Sequence, residues 1–199
     1  MNNGEIFEHV PLSNCVASIR TGQTFKTSLQ HNANGDLNVL QPKDISNGRI
    51  ESNPVCINKS EVSALENHIL KIGDVLMVNK GTKLGSFLYE GEPAQTVATS
   101  SFFVITPNPD VLLSRYLFWY LNQPPAKEYF SKSSFGSTIP SITKVVLSKL
   151  PIPVIPINEQ KYIIEFIKES EQELQLLKEL IEKKQLFSTS YVWEQIIKK

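Results

Sequence analysis

A chain of 199 residues with 20 basic and 20 acidic side chains has no net field to gather a polyanion, so any nucleic-acid contact must come from a local patch or a basic partner. Its 41 % hydrophobic content is enough for a real core and predicts one domain plus an extension. No apolar run approaches the roughly 18 residues of a membrane span, because Ser114 and Arg115 interrupt the best stretch, Val111 to Leu121, and MNNGEIFEH lacks the basic and apolar features of a signal; a cytoplasmic protein is expected.

Met1 to His9 is polar. Val10 to Phe25 (VPLSNCVASIRTGQTF) is a short amphipathic piece ending in a Thr-Gly turn, with Arg20 and Thr21 at that turn. Cys15 and Cys56 have neither metal-ligand spacing nor the density of a disulfide scaffold, so buried free thiols and no metal site are expected. Asn34-Gly35-Asp36 is a turn signal ahead of an extended Leu37 to Leu40, and Asn47-Gly48 precedes a second extended piece. Glu61 to Leu70 fits a short helix or a polar loop equally well.

Val75 to Val78 reads as a buried strand, Asn79 to Gly85 as a Gly-rich basic loop, Ser86 to Tyr89 as a return strand and Ser101 to Ile105 as a further strand, together a β-meander. In the loop, Lys80, Thr82 and Lys83 sit beside glycines that would let a backbone come close to phosphate; an ordinary hairpin turn with solvated lysines has the same composition. Val111 to Leu121 is a core helix stopped by Asn122 to Pro125, and Pro124 and Pro125 open a second helix through about Phe130. The loop SKSSFGSTIPSIT follows. Its Lys132, Ser134, Ser137 and Thr138 suit phosphates and base edges, and they suit any surface loop as well.

From Pro151 to Asn158 proline alternates with Ile and Val, which forbids a helix and favours an extended edge segment. Asn158 is a good N-cap, with Glu159 and Gln160 in the first turn. Ile163, Ile167, Ser170, Leu174, Leu177, Ile181 and Lys184 then fall at spacings of four and three, a heptad seam flanked by Phe166, Leu180 and Phe187. Asn158 to Phe187 would reach about 45 Å, longer than a domain of this size needs across its own core. Two readings stay open: a helix folded back on its own domain, or one that pairs with another helix. The predicted organisation is α+β, with a globular domain over 1–157, the long helix over 158–187 and a tail over 188–199.

Catalytic signatures are absent. The segment Asn122-Gln-Pro-Pro-Ala approaches the Asn-Pro-Pro-aromatic motif of amino-methyltransferases, but Gln123 is inserted and the aromatic is missing. There is no Gly-x-Gly fingerprint, no Gly-Lys-Ser/Thr phosphate loop and no Gly-x-Ser-x-Gly elbow. His9, His31 and His68 are scattered in polar segments, where a solvated imidazole is expected. A nuclease set of Asp110, Glu182 and Lys184 would draw two members from the seam helix, far from any strand. A binding protein remains.

In combination these segments resemble the target-recognition domain of type I restriction-modification specificity subunits. The resemblance rests on PLSNCVASIRTGQT, NVLQPKDISNGRI, LKIGDVLMVNKGTKLG, RYLFWYLN and FGSTIPSITKVVLSKLPIPVIPINEQKYIIEFI ahead of a long helix, in that order from Val10 to Phe187. It implies a non-catalytic component of a defence against foreign DNA, whose globular domain reads a few base pairs of double-stranded DNA while its helix pairs antiparallel with a counterpart and acts as a ruler. It further implies a DNA methyltransferase subunit carrying S-adenosylmethionine and a restriction/translocase subunit using ATP and Mg²⁺, with no cofactor in this chain. Such subunits carry two recognition domains and two long helices, and these 199 residues resemble half of one. A homodimer through Ile163, Ile167, Leu174, Leu177 and Ile181 is therefore expected, or pairing with a different half. The resemblance gives the face; the donors beside Gly or Ser on it are Arg20, Thr21, Lys80, Thr82, Lys83 and Lys132 to Thr138. The rival readings are a regulatory or decoy half-subunit that binds protein instead of DNA, and a small nuclease or methylase of the related type II class.

Overall fold

The computed structural model describes residues 8–46, 48–50, 53–81, 84–133 and 140–197. Two units are distinguished, Met1–Gln160 and Lys161–Lys199. In the first, the chain runs through β1 (His9–Pro11), β2 (Val16–Thr21), β3 (Leu37–Leu40), β4 (Ile45–Ser46), β5 (Arg49–Ile50), β6 (Val55–Ile57), β7 (Val75–Val78), β8 (Ser86–Leu88), β9 (Thr96–Ala98) and β10 (Phe102–Pro107). Three helices follow, α1 (Ser114–Leu121), α2 (Pro124–Ser133) and α3 (Lys144–Ser148), then β11 (Pro151–Pro153) and the start of α4 (Ile157–Ile197).

The core is an antiparallel sheet in the order β2-β10-β7-β8. Its central strand β7, Val-Leu-Met-Val, is buried at every position, which is why it reads as a continuous apolar run instead of an alternation. On one face Leu76, Val78, Phe87, Phe102 and Val104 pack with Leu40 and Ala98 of a second sheet, β6-β3-β9. The opposite face of that second sheet presents Leu37, Val39, Ile57 and Val97, covered by Phe25 and Leu29 from the connection between β2 and β3. The fully buried Leu, Ile, Val and Phe side chains among these each contribute about 1.5–3 kcal/mol of transfer free energy. The α+β expectation is met, but the meander is only partial: β7 and β8 form a hairpin, whereas β10 lies on the other side of β7 and β9 runs parallel to β3.

The carboxylate of Asp74 is 1 % exposed and ties this sheet together. It accepts from the Lys71 N–H at 3.0 Å, the Thr106 hydroxyl at 2.7 Å and Arg20 Nη2 at 3.2 Å, joining the turn before β7 to β10 and β2. A buried charge without such partners would cost several kcal/mol.

The proline segment does what its missing donors allow. Pro151 and Pro153 pair with Pro11 and His9 at an edge, Ile152 between them is fully buried, and the hydroxyls of Tyr116 and Tyr120 donate to the Pro153 and Pro151 carbonyls at 3.0 and 2.9 Å. Burial pushes both phenols above their ordinary pKa. Helix α4 starts at Ile157, one residue before the expected cap, so Asn158 lies inside the first turn. The amide of Gln160, fully buried, fills the gap between this turn and the approach to α1: its oxygen takes the Leu113 N–H at 2.9 Å, and its nitrogen donates to the Val111 and Ile155 carbonyls, both at 2.9 Å. Helix α1 begins at Ser114 and not at Val111 because Leu113 is extended, with φ −75 and ψ 138.

Other expectations resolve locally. Glu61 to Leu70 holds one 3-10 turn at Leu65–Asn67, preceded by another at Lys59–Glu61. Cys15 is buried, with its thiol pushed up by burial, while Cys56 is only half-buried. His68 is half-buried instead of solvated, and burial lowers its pKa. In the second unit α4 continues without interruption through Ile197, so Ser188 to Ile197, expected as tail, is helical; no Gly or Pro interrupts it. Its 41 residues span about 60 Å. Ile163 and Ile167 are half-buried, and Leu174, Leu177 and Ile181 are exposed, as are Phe166, Leu180 and Phe187. No helix among the described residues is long and apolar enough to cross a membrane.

Replacing Gln160 by Ala removes, at a buried position, the partner of the Leu113 N–H and of two carbonyls. The expected loss is about 3 kcal/mol, read as a lowered midpoint of urea unfolding followed by near-UV circular dichroism.

Candidate nucleic-acid interface

Strand register gathers the loops. Thr21 lies opposite Phe103, Phe102 opposite Val78, and Ser86 opposite Met77. The exit of β2, the entry of β10, the exit of β7 and the entry of β8 therefore share one end of the four-stranded sheet. The connections leaving this end are 22–36, 79–85 and the turn 99–101.

The turn 99–101 is the fastening point. On one side the Gln23 N–H donates to the Ala98 carbonyl at 2.7 Å and the Ser100 N–H to the Gln23 carbonyl at 2.8 Å. On the other, Asn79 donates its backbone N–H to the Ser101 carbonyl at 2.9 Å and its side-chain amide to the Ser100 carbonyl at 2.8 Å. Gly22 is what lets the β2 exit come this close, because a Cβ there would stand 2.2 Å from the Thr99 carbonyl oxygen. A third segment joins them: the Gly81 N–H donates to the Pro140 carbonyl at 3.0 Å, the Ile142 N–H to the Asn79 carbonyl at 2.8 Å, and Lys80 bridges with Ser141.

The expected contact residues fall into three groups. Thr21 and Lys80 are exposed at this sheet end, and Lys80 has no ion-pair partner among the described residues. Beside it Gly81 has φ +132 and open space where a Cβ would sit, so its backbone is reachable. Lys132 is exposed on the last turn of α2 and pairs with Glu128 at 2.8 Å, holding that carboxyl below its ordinary pKa; an exposed i,i+4 pair of this kind is easily exchanged for another anion. Arg20 is different. Its guanidinium, 25 % exposed, is engaged by Asp74 and by the His68 and Ile69 carbonyls at 3.4 and 3.2 Å, so it works as a strut within the sheet; burial lowers its pKa while Asp74 holds the charge. Thr82, Lys83, Ser134, Ser137 and Thr138 lie outside the described residues.

Sequence reasoning missed Gln23, Asn79 and the 99–101 turn. Their role comes from partners far along the chain, and only Gly22, after a strand and before a polar run, hinted at a close approach. Among the described residues no group of three or more His, Cys, Asp or Glu side chains is placed to hold a metal ion. The arrangement offers exposed hydroxyl and lysine side chains, donor types that bind phosphates and base edges.

A rigid two-sheet scaffold with its loops collected at one end and a long helix following it defines a recognition module. Residues 10–184 match the type I restriction modification DNA specificity domain, and the chain belongs to that family. Three solved structures share its fold. The HsdS subunit from Thermoanaerobacter tengcongensis is 19 % identical with a TM-score of 0.62, over 89 % of this chain and 40 % of that one. The type I restriction-modification S subunit from M. genitalium is 17 % identical with a TM-score of 0.60, over 92 % and 43 %. A chain from a study of complex assembly and conformational transition of the type I R-M system is 20 % identical with a TM-score of 0.65, over 89 % and 41 %. This chain thus spans about two-fifths of the length of the proteins it resembles.

Replacing Arg20 by Ala leaves Asp74 buried with two neutral donors. The expected cost is about 3 kcal/mol, measured by chemical unfolding, with Arg20→Lys recovering part of it.

Proposed function

We propose that this chain is a DNA-reading component of a type I restriction-modification system, its globular unit recognising one part of a bipartite site. The observation that carries this is the convergence of Thr21, Lys80 and the Pro140 segment at one end of the sheet in a member of the specificity-domain family. Thr21, Lys80 and Lys132, with Thr82, Lys83, Ser134, Ser137 and Thr138, are the proposed contacts, and Arg20 is a positioning residue. The chain performs no chemistry in this scheme. It works in the cytoplasm with a methyltransferase subunit that brings S-adenosylmethionine and a restriction/translocase subunit that uses ATP and Mg²⁺, and these partners supply much of the phosphate attraction that 20 balanced charges of each sign do not.

The helix completes the scheme. Leu174, Leu177 and Ile181 expose an apolar seam that water disfavours, and Tyr191 continues its seven-residue register beyond Lys184. Pairing with a second copy in antiparallel fashion would cover that seam and place two recognition domains at opposite ends, reading an inverted site with a fixed gap. The neutral charge favours one second reading, a regulator that acts mainly by binding a protein subunit.

Two outcomes are expected. Lys80→Glu lowers duplex binding by the chain with its methyltransferase partner about tenfold at moderate salt, in a mobility-shift titration. Leu174→Asp with Leu177→Asp lowers the solution mass, by light scattering, from twice 22.4 kDa to a single chain while the circular dichroism of the folded domain is kept. Equal binding by the protein subunits with and without DNA-contact substitutions, and no duplex shift by the unaltered complex, would favour the regulator.

A further inference from the structure

Fifteen residues, 22–36, connect β2 to β3 without a helix or strand, a length that is uncommon for a plain connection within a compact domain. They are nonetheless firmly held. Phe25 and Leu29 pack into the core cluster beneath. The start is bonded at Gln23, as described above. At the far end the Asn32 N–H donates to the Cys56 carbonyl at 2.8 Å, the Cys56 N–H donates to His31 Nδ1 at 3.2 Å, and the Asn32 amide donates to Asn58 Oδ1 at 3.2 Å.

Between these anchors the side chains divide by task. Gln23, His31 and Asn32 are used in holding the loop. Lys26, Thr27, Ser28 and Gln30 are exposed and make no hydrogen bond among the described residues. The loop lines a half-open cavity of about 850 Å³ with Ser60, Glu61 and Ser63 as its other wall. Its chemistry is unlike that of the 79–85 connection. There, Lys80 and the open space beside Gly81 offer charge and close approach, which suit phosphate; here one lysine and one carboxylate are set among amides and hydroxyls. That mixture of donors and acceptors matches base edges, where Gln pairs with adenine, a carboxylate accepts from cytosine and Ser or Thr reads either.

We propose that the 23–32 loop is the base-reading element of this domain, with Lys26, Ser28 and Gln30 as the side chains that determine sequence preference, and that the Lys80 loop at the same sheet end holds the backbone. This assignment rests on the DNA-reading function proposed above. Pre-anchoring by Phe25 and Leu29 is the physical requirement it satisfies, because discrimination between bases needs side chains held on a fixed frame.

The test is enrichment of duplexes from a pool with randomised positions, using the 199-residue chain alone and with its methyltransferase partner. Gln30→Ala and, separately, Ser28→Ala relax the enriched motif at one or two base positions, whereas Lys80→Ala weakens binding across all sequences and reduces the slope of log affinity against log salt by about one. Both substituted loop residues are exposed, so folding is not at stake. If the unaltered protein enriches a motif and both loop variants enrich the same motif with the same stringency, the loop assignment is overturned while the DNA-reading function stands. If the unaltered protein enriches no motif in either format, the DNA-reading function itself fails, and this assignment with it.

Discussion

The buried carboxylate of Asp74 is the constraint on which the main sheet depends. At 1 % exposure it must be surrounded by donors, and it recruits them from three places: the Lys71 backbone, the Thr106 hydroxyl and the Arg20 guanidinium. Strands β2 and β10 and the turn into β7 are thereby held in one relation. Ladder pairing of the same strands puts Thr21, Val78, Phe102 and Ser86 together at the other end of the sheet, so the buried charge fastens one end of the frame while the connections gather at the opposite one.

What the frame holds at that end is a fastening made mostly of backbone. The turn 99–101 donates to the Gln23 carbonyl on one side and accepts from Asn79 on the other, and 140–142 joins through Asn79 and Gly81. Bonds between backbone groups are indifferent to side-chain identity; the Asn79 amide that reaches the Ser100 carbonyl and Gly22, which the close approach demands, are the exceptions. Exposed side chains on these connections are free to differ without disturbing the scaffold, which is the arrangement a protein needs when its target must be specified by loops alone.

Neutral overall charge fits a division of labour. A domain that relied on its own field would bind every duplex, and salt would govern its affinity. Here the basic side chains are balanced by acidic ones over the chain, and Lys26 stands among hydroxyls and amides on its loop. In the function proposed above, discrimination would rest on hydrogen-bond pattern more than on attraction, and the exposed Leu174, Leu177 and Ile181 of α4 would serve to recruit further binding surface.

Much of the fold was legible locally. Val75 to Val78 announced a buried strand by its unbroken apolar run, Pro151 to Pro153 an edge by its missing donors, and the four-three spacing from Ile163 to Ile181 a long helix with an apolar stripe; each signal lies within a few residues and reflects backbone or packing chemistry that neighbours alone decide. The order of segments was enough for the family. Tertiary structure alone decided that β9 pairs parallel with β3, that Arg20 is a strut and not a free donor, that Gln160 closes the start of α4 on Val111 and Leu113, and that the polar run from Gln23 to Asn32 is a pinned loop. These facts depend on partners far along the chain, from Asn32 with Cys56 to Gln23 with Ser100, and a polar side chain has the same local sequence signature whether it faces solvent or a buried carboxylate.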